Sequence, residues 1–178
     1  MSQRLADGSP APDFSFSAAN GEDYVLSEIE GKVLLSFFRY AGCPVCNFRM
    51  HELGEDMQQL TREGYTVVAI FESPTDVLDA YAFDFPRDMI IVGDPEQEFF
   101  ELYGVEKSIG KLLKAATNKE ARRRMKGGKE KYASDAPKRD GSLTRVPAEF
   151  IVEDGVLRKA HYGEFVGDHL PMHYVHQY

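Results

Sequence analysis

The order of apolar and polar positions predicts strands and helices that alternate along the chain. Apolar runs at residues 32–38 and 65–71 are rich in strand-forming residues and are typical of strands buried on both faces. Between them, apolar side chains recur every three or four residues, as on one face of a helix. These side chains are Cys46, Met50, Leu53, Met57 and Leu60. Strand, helix and strand with short links predict a right-handed crossover between parallel strands.

The same patterns predict a hairpin on each side of this unit. Alternation over residues 13–17, the turn signal Asn20-Gly21 and a return strand at 22–26 predict the first hairpin. The second joins strands at 149–152 and 156–160. Further elements are a strand at 89–92 and short helices at 75–83, 95–103 and 168–176. The predicted class is therefore α/β, a central mixed sheet flanked by helices with an N-terminal β-hairpin.

Charge separates one segment from the rest of the chain. The net charge is −8, yet residues 107–139 contain twelve Lys or Arg against three acids, which is +9 and leaves −17 elsewhere. We interpret residues of about 106–142 as a basic helical insertion in a single domain covering residues 1–178. Helical spacing predicts that its first part docks on the body through Ile109, Leu112, Leu113 and Ala116. The stretch 121–131 has no extended apolar face and is expected to be a solvated loop.

Composition limits the class of protein and its location. The chain is 43% apolar and 28% charged, as in ordinary globular domains. No apolar stretch approaches the roughly 20 residues of a membrane span, and residues 1–8 lack the apolar core of a signal peptide. Two cysteines do not make the disulfide framework of a secreted protein. We therefore expect a cytoplasmic protein with no membrane partner, and no nucleic-acid partner because the basic segment lacks interleaved aromatic residues.

Both cysteines lie directly after the first buried strand, in the stretch RYAGCPVCNF. Pro44 suits the first position of a helix, which makes Cys43 the N-cap residue. A sulfur there can accept unpaired backbone N–H groups and lies at the positive end of the helix dipole, and both effects lower a thiol pKa. We therefore predict that Cys43 is an exposed nucleophile and that Cys46, shielded one turn further on, resolves the mixed disulfide.

Two other interpretations of the cysteines stay open. Free cysteines are often buried core residues, so the close spacing alone does not prove redox chemistry. A metal site is the second alternative, but zinc needs roughly four ligands and the chain has no second cysteine pair. His169, His173 and His176 share one face of the predicted last helix and could contribute ligands. Our prediction is that the protein uses no metal and no cofactor.

Five short motifs occur in a fixed order around the cysteines. They are GSPAPDF at residues 8–14, Leu26-Ser27 with GKVLL at 31–35, Cys-x-x-Cys, DPE to YGV at 94–105, and Val146-Pro147 before FIVEDG at 150–155. Together they resemble the peroxiredoxin-like members of the alkyl hydroperoxide reductase / thiol-specific antioxidant family. The resemblance implies a thioredoxin-like fold and an antioxidant oxidoreductase that reduces peroxides or protein disulfides through a Cys43–Cys46 dithiol–disulfide cycle. It also implies a thioredoxin- or glutathione-type reductant, and it leaves a homodimer open.

The resemblance also suggests residues that contact the substrate. Val146-Pro147 match the segment in which a cis-proline faces the active cysteine, so the backbone of Val146 would pair with an incoming disulfide. Pro44, between the cysteines, is placed in the same substrate-binding set. Arg145 is the candidate for the family's arginine, which supports the thiolate and polarises the peroxide bond. The predicted catalytic residues are thus Cys43, Cys46 and Arg145.

This sequence departs from the family pattern at two positions. The peroxide-reactive cysteine of peroxiredoxins has a threonine three residues before it and a proline four residues before that threonine. If Cys46 is aligned with this cysteine, Cys43 replaces the threonine and Arg39 replaces the proline. The alignment therefore favours first attack by Cys46, whereas the helix geometry favours Cys43. The order of attack stays open.

A different class of function is also compatible with the sequence. The chain could be a non-enzymatic thioredoxin-fold redox sensor or binding module that uses the basic segment 107–139. In that case neutralising Arg122, Arg123 and Arg124 should abolish binding of a partner, while cysteine variants should still bind it. A metal-binding module is a third hypothesis, and it requires zinc that is lost when Cys43 and Cys46 are replaced.

Overall fold

The computed structural model describes residues 3–80, 86–132 and 140–178 of the 178-residue chain. Its strands are β1 (Ser15–Ser17), β2 (Asp23–Val25), β3 (Lys32–Phe38), β4 (Tyr65–Phe71), β5 (Ile90–Gly93), β6 (Ala148–Glu153) and β7 (Val156–Tyr162). Its helices are α1 (Pro44–Arg62), α2 (Thr75–Ala80), α3 (Glu98–Leu102), α4 (Ile109–Thr117), α5 (Lys119–Tyr132) and α6 (Met172–Val175). The end of the predicted helix 75–83 and part of the basic segment lie outside the described residues. In the described ranges, no helix combines the length and hydrophobicity that crossing a membrane requires.

The central sheet is mixed, as the pattern predicts. Its strand order is β5-β4-β3-β6-β7, with β3, β4 and β5 parallel and β6 and β7 antiparallel to their neighbours. β1 and β2 form the predicted N-terminal hairpin as a separate two-stranded sheet. Phe38 at the end of β3 lies opposite Phe71 at the end of β4. The short loop after Phe38 leads to α1, so the start of this helix lies at the carboxyl edge of the two central strands.

Helix α1 packs through the stripe that the sequence predicts. All five stripe residues are buried, and they belong to the apolar cluster on one face of the sheet, with Leu34, Val67 and Ile151. The opposite face is covered by a second cluster that includes Phe16 of the hairpin and Phe100 of α3. After α1 ends, Gly64 adopts a left-handed φ of +80°, which lets the chain reverse into β4. The two-sided burial explains why β3 and β4 are continuous apolar runs.

Helix α5 replaces the solvated loop that we expected for residues 121–131. It packs closely on the first turns of α1, and its interior carries Gly127 and Gly128. A Cβ on Gly128 would lie 2.0 Å from the carbonyl oxygen of Pro44, and one on Gly127 would lie 2.8 Å from Cε2 of Phe48. The prediction was wrong because small residues, and not an apolar stripe, allow the two helices to approach.

Helix α4 exists at the predicted position but does not dock as predicted. Ile109 and Leu113 are 69% and 65% exposed, so this apolar pair faces away from the body. Leu112 and Ala116 instead line a pocket that α4 forms with α5. The prediction of docking through all four residues was wrong because helical spacing identifies two apolar sides of a short helix and does not say which one packs.

The C-terminal helix is shorter than predicted, and this separates the three histidines. Pro171 precedes the first helical residue, Met172, because a proline and the residue before it disfavour an earlier helical turn. His169 therefore lies outside α6 and contacts Glu149, whereas His176 contacts Glu63 at 2.7 Å. The described ranges contain no group of three His, Cys, Asp or Glu side chains that could hold a metal ion.

Candidate active site

Cys43 is the N-cap residue of α1, which confirms the prediction. Pro44 occupies the first helical turn, and the backbone N–H of Cys46 donates to Sγ of Cys43 over 3.4 Å. The N–H of Cys43 itself donates to the carbonyl oxygen of Tyr40 at 3.0 Å. Both cysteines are free. Cys43 and Cys46 lie one helical turn apart at the start of α1, a spacing within the reach of a disulfide.

The prediction that Cys43 is exposed was wrong. Its exposed fraction is 0%, that of Cys46 is 3%, and both belong to the apolar cluster under α1. The close contact of Gly128 with Pro44 shows that α5 lies directly over the first turn of α1. A cysteine at a helix start is exposed only when no other element covers that start, and here the insertion covers it. A reactant must therefore pass between elements to reach either sulfur.

Arg39 supplies the positive charge of the site. It directly follows β3, it is buried, and one terminal nitrogen of its guanidinium group donates to Sγ of Cys43 at 2.9 Å. The other terminal nitrogen donates to the carbonyl oxygen of Leu143 at 3.0 Å, which holds the group in place. We predicted no role for Arg39 from the sequence. The signal that could have identified it is a charged residue directly after a fully buried strand, because a buried charge needs a partner.

The environment gives the two thiols opposite acidities. Burial would raise the pKa of Cys43, but the hydrogen bond from Cys46 and the charge of Arg39 outweigh it and lower the pKa from 9.0 to about 6. Burial also raises the pKa of Cys46, and the neighbouring sulfur of Cys43 raises it further, well above 9.0. At neutral pH the site therefore contains a thiolate at Cys43 and a thiol at Cys46.

Arg145 is held by partners other than the cysteines. Its Nε donates to Glu72 at 2.7 Å, one terminal nitrogen donates to the carbonyl oxygen of Val105, and the other donates to Oε1 of Gln97 at 2.8 Å. The guanidinium carbon also lies 4.5 Å from the ring centre of Phe100. All three nitrogens are thus engaged away from Cys43, and the structure brings Arg39 to the sulfur in the position expected for Arg145.

The Val146–Pro147 segment also differs from the expectation. The described residues contain no cis peptide bond, so the cis conformation implied by the resemblance was wrong. The N–H of Val146 donates to the carbonyl oxygen of Glu106 at 3.1 Å. The start of the basic segment therefore already occupies a backbone group that would pair with an incoming disulfide.

A second buried charge pair lies further along α1. Arg49 donates two hydrogen bonds to the carboxylate of Glu149, at 2.9 and 3.0 Å. The same carboxylate accepts from the N–H of Leu170 at 2.7 Å and from the hydroxyl of Ser36 at 3.2 Å, and it contacts His169. Burial would raise the pKa of Glu149, but the charges of Arg49 and His169 lower it well below its ordinary value. This pair fixes α1 to β6 and the C-terminal segment.

The fold and the site define a class of protein. A cysteine pair at the start of a helix that follows the central strand of this mixed sheet is the arrangement of a thioredoxin-fold dithiol protein. The family model of the AhpC/TSA family matches residues 8–160, and the chain belongs to this family. Sequence comparison and structural comparison give relatives of the same kind.

Peroxiredoxin Bcp of Escherichia coli is 29% identical over 102 residues, which are 57% of this chain. The match covers 65% of that relative's length, slightly less than two thirds. Peroxidoxin BcpB from Mycobacterium tuberculosis superposes with a TM-score of 0.66 and 15% identity, covering 93% of this chain and 90% of that one. A PrxQ mutant from Xylella fastidiosa gives 0.68 and 10%, covering 99% and 94%. These similarities confirm the predicted thioredoxin-like α/β fold.

Proposed function

We propose that this protein is an oxidoreductase that reduces peroxides through a Cys43–Cys46 dithiol–disulfide cycle. Membership of the AhpC/TSA family supports the reaction class. The observation that carries the assignment of residues is the Arg39–Cys43 contact at 2.9 Å, because it pairs a low-pKa sulfur with a fixed cation. The alternative of a binding module without enzymatic activity is not favoured by the family relationship.

The first step is attack by Cys43 on the peroxide. Its thiolate attacks the terminal oxygen of R–O–O–H, the O–O bond breaks, and a Cys43 sulfenic acid forms. The leaving group R–O⁻ takes a proton and departs as the alcohol, or as water when R is hydrogen. The N–H groups of Arg39 are placed at this sulfur and can donate to the leaving oxygen as its charge develops. Arg39 thus takes the role that the resemblance implied for Arg145.

The second step forms the disulfide. Once the sulfur of Cys43 has become a neutral sulfenic acid, it no longer disfavours ionisation of Cys46 by its charge, although burial still does. The sulfur of Cys46 attacks that of Cys43, an S–S bond forms, and the hydroxyl group leaves as water. A thiol reductant, either one dithiol of the thioredoxin type or two monothiols of the glutathione type, then reduces the disulfide and is itself oxidised to a disulfide. The spacing of the two cysteines, one turn apart at the start of α1, favours this closure.

The remaining expectations about the protein's surroundings are part of this proposal. A chain with two cysteines and no disulfide framework is consistent with a cytoplasmic location. A homodimer and a single-domain organisation over residues 1–178 stay predictions. Fractionation of cells would test the location, and sedimentation of the purified protein would test the homodimer.

The decisive experiment is a steady-state and single-turnover assay of three proteins. Wild type, Cys43→Ser and Cys46→Ser are each given hydrogen peroxide, an organic hydroperoxide and a protein disulfide. We expect Cys43→Ser to lose peroxide reduction entirely. Cys46→Ser should consume about one equivalent of peroxide and stop at the sulfenic acid. If Cys46→Ser loses the first turnover and Cys43→Ser keeps it, then Cys46 is the first nucleophile and the assignment is reversed.

A further inference from the structure

The contacts of Arg39 form a closed ring through Glu72, the first residue after β4. The backbone N–H of Glu72 donates to the carbonyl oxygen of Arg39 at 2.7 Å, and its carboxylate accepts from the backbone N–H of Ser142. The next residue, Leu143, offers its carbonyl oxygen to the guanidinium group of Arg39 at 3.0 Å. We propose that Glu72 is a positioning residue, which holds Arg39 against Cys43 by fixing the loop that carries these two residues. That this position serves peroxide reduction rests on the proposed function, whereas the position itself does not.

The direction of the Arg39 guanidinium group depends on this loop. One of its terminal nitrogens donates to Sγ of Cys43 at 2.9 Å, and the other donates to the carbonyl oxygen of Leu143. An arginine side chain has large rotamer freedom, which opposes any single fixed geometry. Two acceptors on opposite nitrogens fix the planar group more firmly than one. A displaced carbonyl oxygen of Leu143 would therefore let the guanidinium group turn away from the sulfur.

The carboxylate of Glu72 is buried and uses its two oxygens differently. The residue is 2% exposed, and a carboxylate in such a place needs hydrogen-bond partners. Oε1 accepts from Nε of Arg145 at 2.7 Å, whereas Oε2 accepts from the backbone N–H of Ser142. One oxygen is thus paired with a buried cation, and the other holds the loop. Because the two contacts can be removed separately, positioning can be distinguished from the structural role of the ion pair.

Gly141 brings the loop into direct contact with the same carboxylate. A Cβ on Gly141 would lie 2.8 Å from Oε2 of Glu72 and 3.0 Å from Cβ of Tyr40. The oxygen is itself held by its hydrogen bond, so an added methyl group would push the loop away from both residues. The loop, the carboxylate and the segment after β3 therefore form one packed unit.

The sign of the expected change distinguishes positioning from a direct effect of charge. The groups that determine the ionisation of Cys43 in the described residues are Arg39 and Cys46. A nearby negative charge disfavours a thiolate, so removal of the carboxylate of Glu72 would by itself lower the pKa of Cys43. Displacement of Arg39 raises this pKa, because the thiolate loses its cation. A rise in Glu72→Leu therefore cannot come from the lost charge of Glu72 itself.

Alkylation of Cys43 by iodoacetamide as a function of pH, on the reduced protein, measures this change. Glu72→Leu should move the pH midpoint upwards from about 6 by about one unit, which slows alkylation at pH 6 by about fivefold. Arg145→Gln is the matched control, because it breaks the same ion pair and leaves Oε2 of Glu72 with Ser142. Its midpoint should stay near 6. An unmoved or lowered midpoint in Glu72→Leu, or equal rises in both variants, would overturn the proposal.

Gly141→Ala tests the loop without changing any charge, and it serves equally if Glu72→Leu does not fold. It should slow alkylation at pH 6 by about twofold, with the midpoint displaced upwards. Gly110→Ala is its control, because the added Cβ would meet only Oγ of Ser108, at 3.9 Å, and it should leave the midpoint unchanged. A wild-type midpoint in Gly141→Ala, with native circular dichroism, would show that the loop does not position Arg39.

A double variant shows whether Glu72 acts through Arg39. In the background of Arg39→Gln, the further change Glu72→Leu should not raise the midpoint again, since no guanidinium group is left to displace. A second rise of the same size would show that Glu72 acts on Cys43 by another route, and it would overturn the proposal.

Peroxide turnover separates this inference from the proposed function. If the midpoints move as expected but wild type reduces no peroxide, the positioning of Arg39 stands and the proposed function fails. If wild type reduces peroxide and the midpoint stays near 6 in Glu72→Leu and Gly141→Ala, the function stands and the inference fails.

Discussion

Two buried arginines near the start of α1 hold anions of different character. Arg39 donates to a single sulfur, that of Cys43, which also accepts from Cys46. Arg49 donates twice to the carboxylate of Glu149, which also accepts from a backbone N–H and a hydroxyl group. Both arginines are almost completely excluded from solvent.

The difference between the two pairs lies in how firmly each anion is held. The pKa of Glu149 is far below its ordinary value, so this group is firmly ionised at neutral pH. The pKa of Cys43 is about 6, so its sulfur is ionised at neutral pH and takes up a proton when the pH falls below about 6. Fewer and weaker contacts leave lone pairs on sulfur for attack. We infer that Arg49–Glu149 is structural and that Arg39–Cys43 is reactive.

Replacement of Arg49 should have the largest effect on stability. Arg49→Met leaves the carboxylate of Glu149 buried without its cation, and loss of one partner of a buried pair costs about 3–5 kcal/mol. Urea unfolding followed by circular dichroism measures this loss. Arg62→Met, at the exposed end of the same helix, is the control and should cost less than about 0.5 kcal/mol.

A double variant distinguishes the lost charge pair from lost packing. Arg49→Met combined with Glu149→Leu removes both charges, and we expect it to recover much of the stability. A loss of less than about 1 kcal/mol in Arg49→Met would show that the pair does not anchor α1.

Replacement of Arg39 should alter reactivity more than stability. Arg39→Gln removes the charge beside Cys43, so the pKa of this thiol should rise from about 6 towards 9.0. Each unit by which it exceeds 7 lowers the thiolate fraction at neutral pH by about tenfold. We expect alkylation by iodoacetamide at neutral pH to slow by about tenfold, with its pH midpoint displaced upwards.

The matched control is Arg145, the arginine that we predicted from the sequence to be catalytic. Arg145→Gln removes a buried guanidinium group whose donors go to Glu72, Gln97 and a backbone carbonyl, so the midpoint for Cys43 should not move. If the midpoint moves in Arg145→Gln and stays near 6 in Arg39→Gln, the assignment of the two arginines is wrong.

The contrast between these arginines also shows what the sequence could predict. The cap at Cys43, the buried stripe of α1 and the β3-α1-β4 unit follow from local spacing, and all three are confirmed. Contacts between distant segments were missed, because spacing does not give the direction of a side chain. The contact of Arg39 with sulfur and the pairing of Arg145 with Glu72 belong to this group.

The cover over the cysteines was missed for a related reason. Gly127 and Gly128 weaken an isolated helix, so the sequence favours a loop at this position. Against α1 the same glycines are an advantage, because Gly128 lets the backbone approach Pro44 and Gly127 leaves room for the ring of Phe48. Tertiary packing therefore reversed a correct local preference, and the burial of Cys43 followed from it.

The ionisation of Cys43 also makes stability depend on pH. Its pKa is about 6 in the folded protein and 9.0 when unperturbed, so between these values only the unfolded chain binds the proton. The free energy of unfolding should therefore rise with pH across this window, by up to about 1.4 kcal/mol per unit, and this contribution is lost below pH 6. The pKa of Cys46 is raised in the folded protein, so this thiol lowers the free energy of unfolding with rising pH only above pH 9.

Chemical denaturation under reducing conditions tests this dependence. The difference between wild type and Cys43→Ser isolates the thiol, since the other titrating groups are common to both proteins. We expect the difference to grow from about pH 6 to about pH 9. A difference that is constant over this range would mean that Cys43 is not ionised in the folded protein.

The smallest expected effect concerns Glu52, which connects the Arg49–Glu149 pair to α5, the helix that covers the cysteines. Its carboxylate contacts Arg49 at 3.4 Å and Arg124 of α5 at 2.7 Å. Because Glu52 is partly exposed, Glu52→Gln should cost only about 0.2–1 kcal/mol of stability. It should nevertheless loosen α5 and increase the rate at which Cys43 is alkylated, without moving the pH midpoint.

In Glu52→Gln, a faster alkylation with an unchanged pH midpoint would show that access to Cys43 has changed and that its pKa has not. Lys126 pairs with Glu130 on the outer part of α5, so Glu130→Gln removes a pair of the same kind that does not join the two helices. It should leave the alkylation rate unaltered. A midpoint displaced by Glu52→Gln would show that the structural and the reactive arginine sites are coupled electrostatically. Equal rates in Glu52→Gln, Glu130→Gln and wild type would show that α5 does not control access to Cys43.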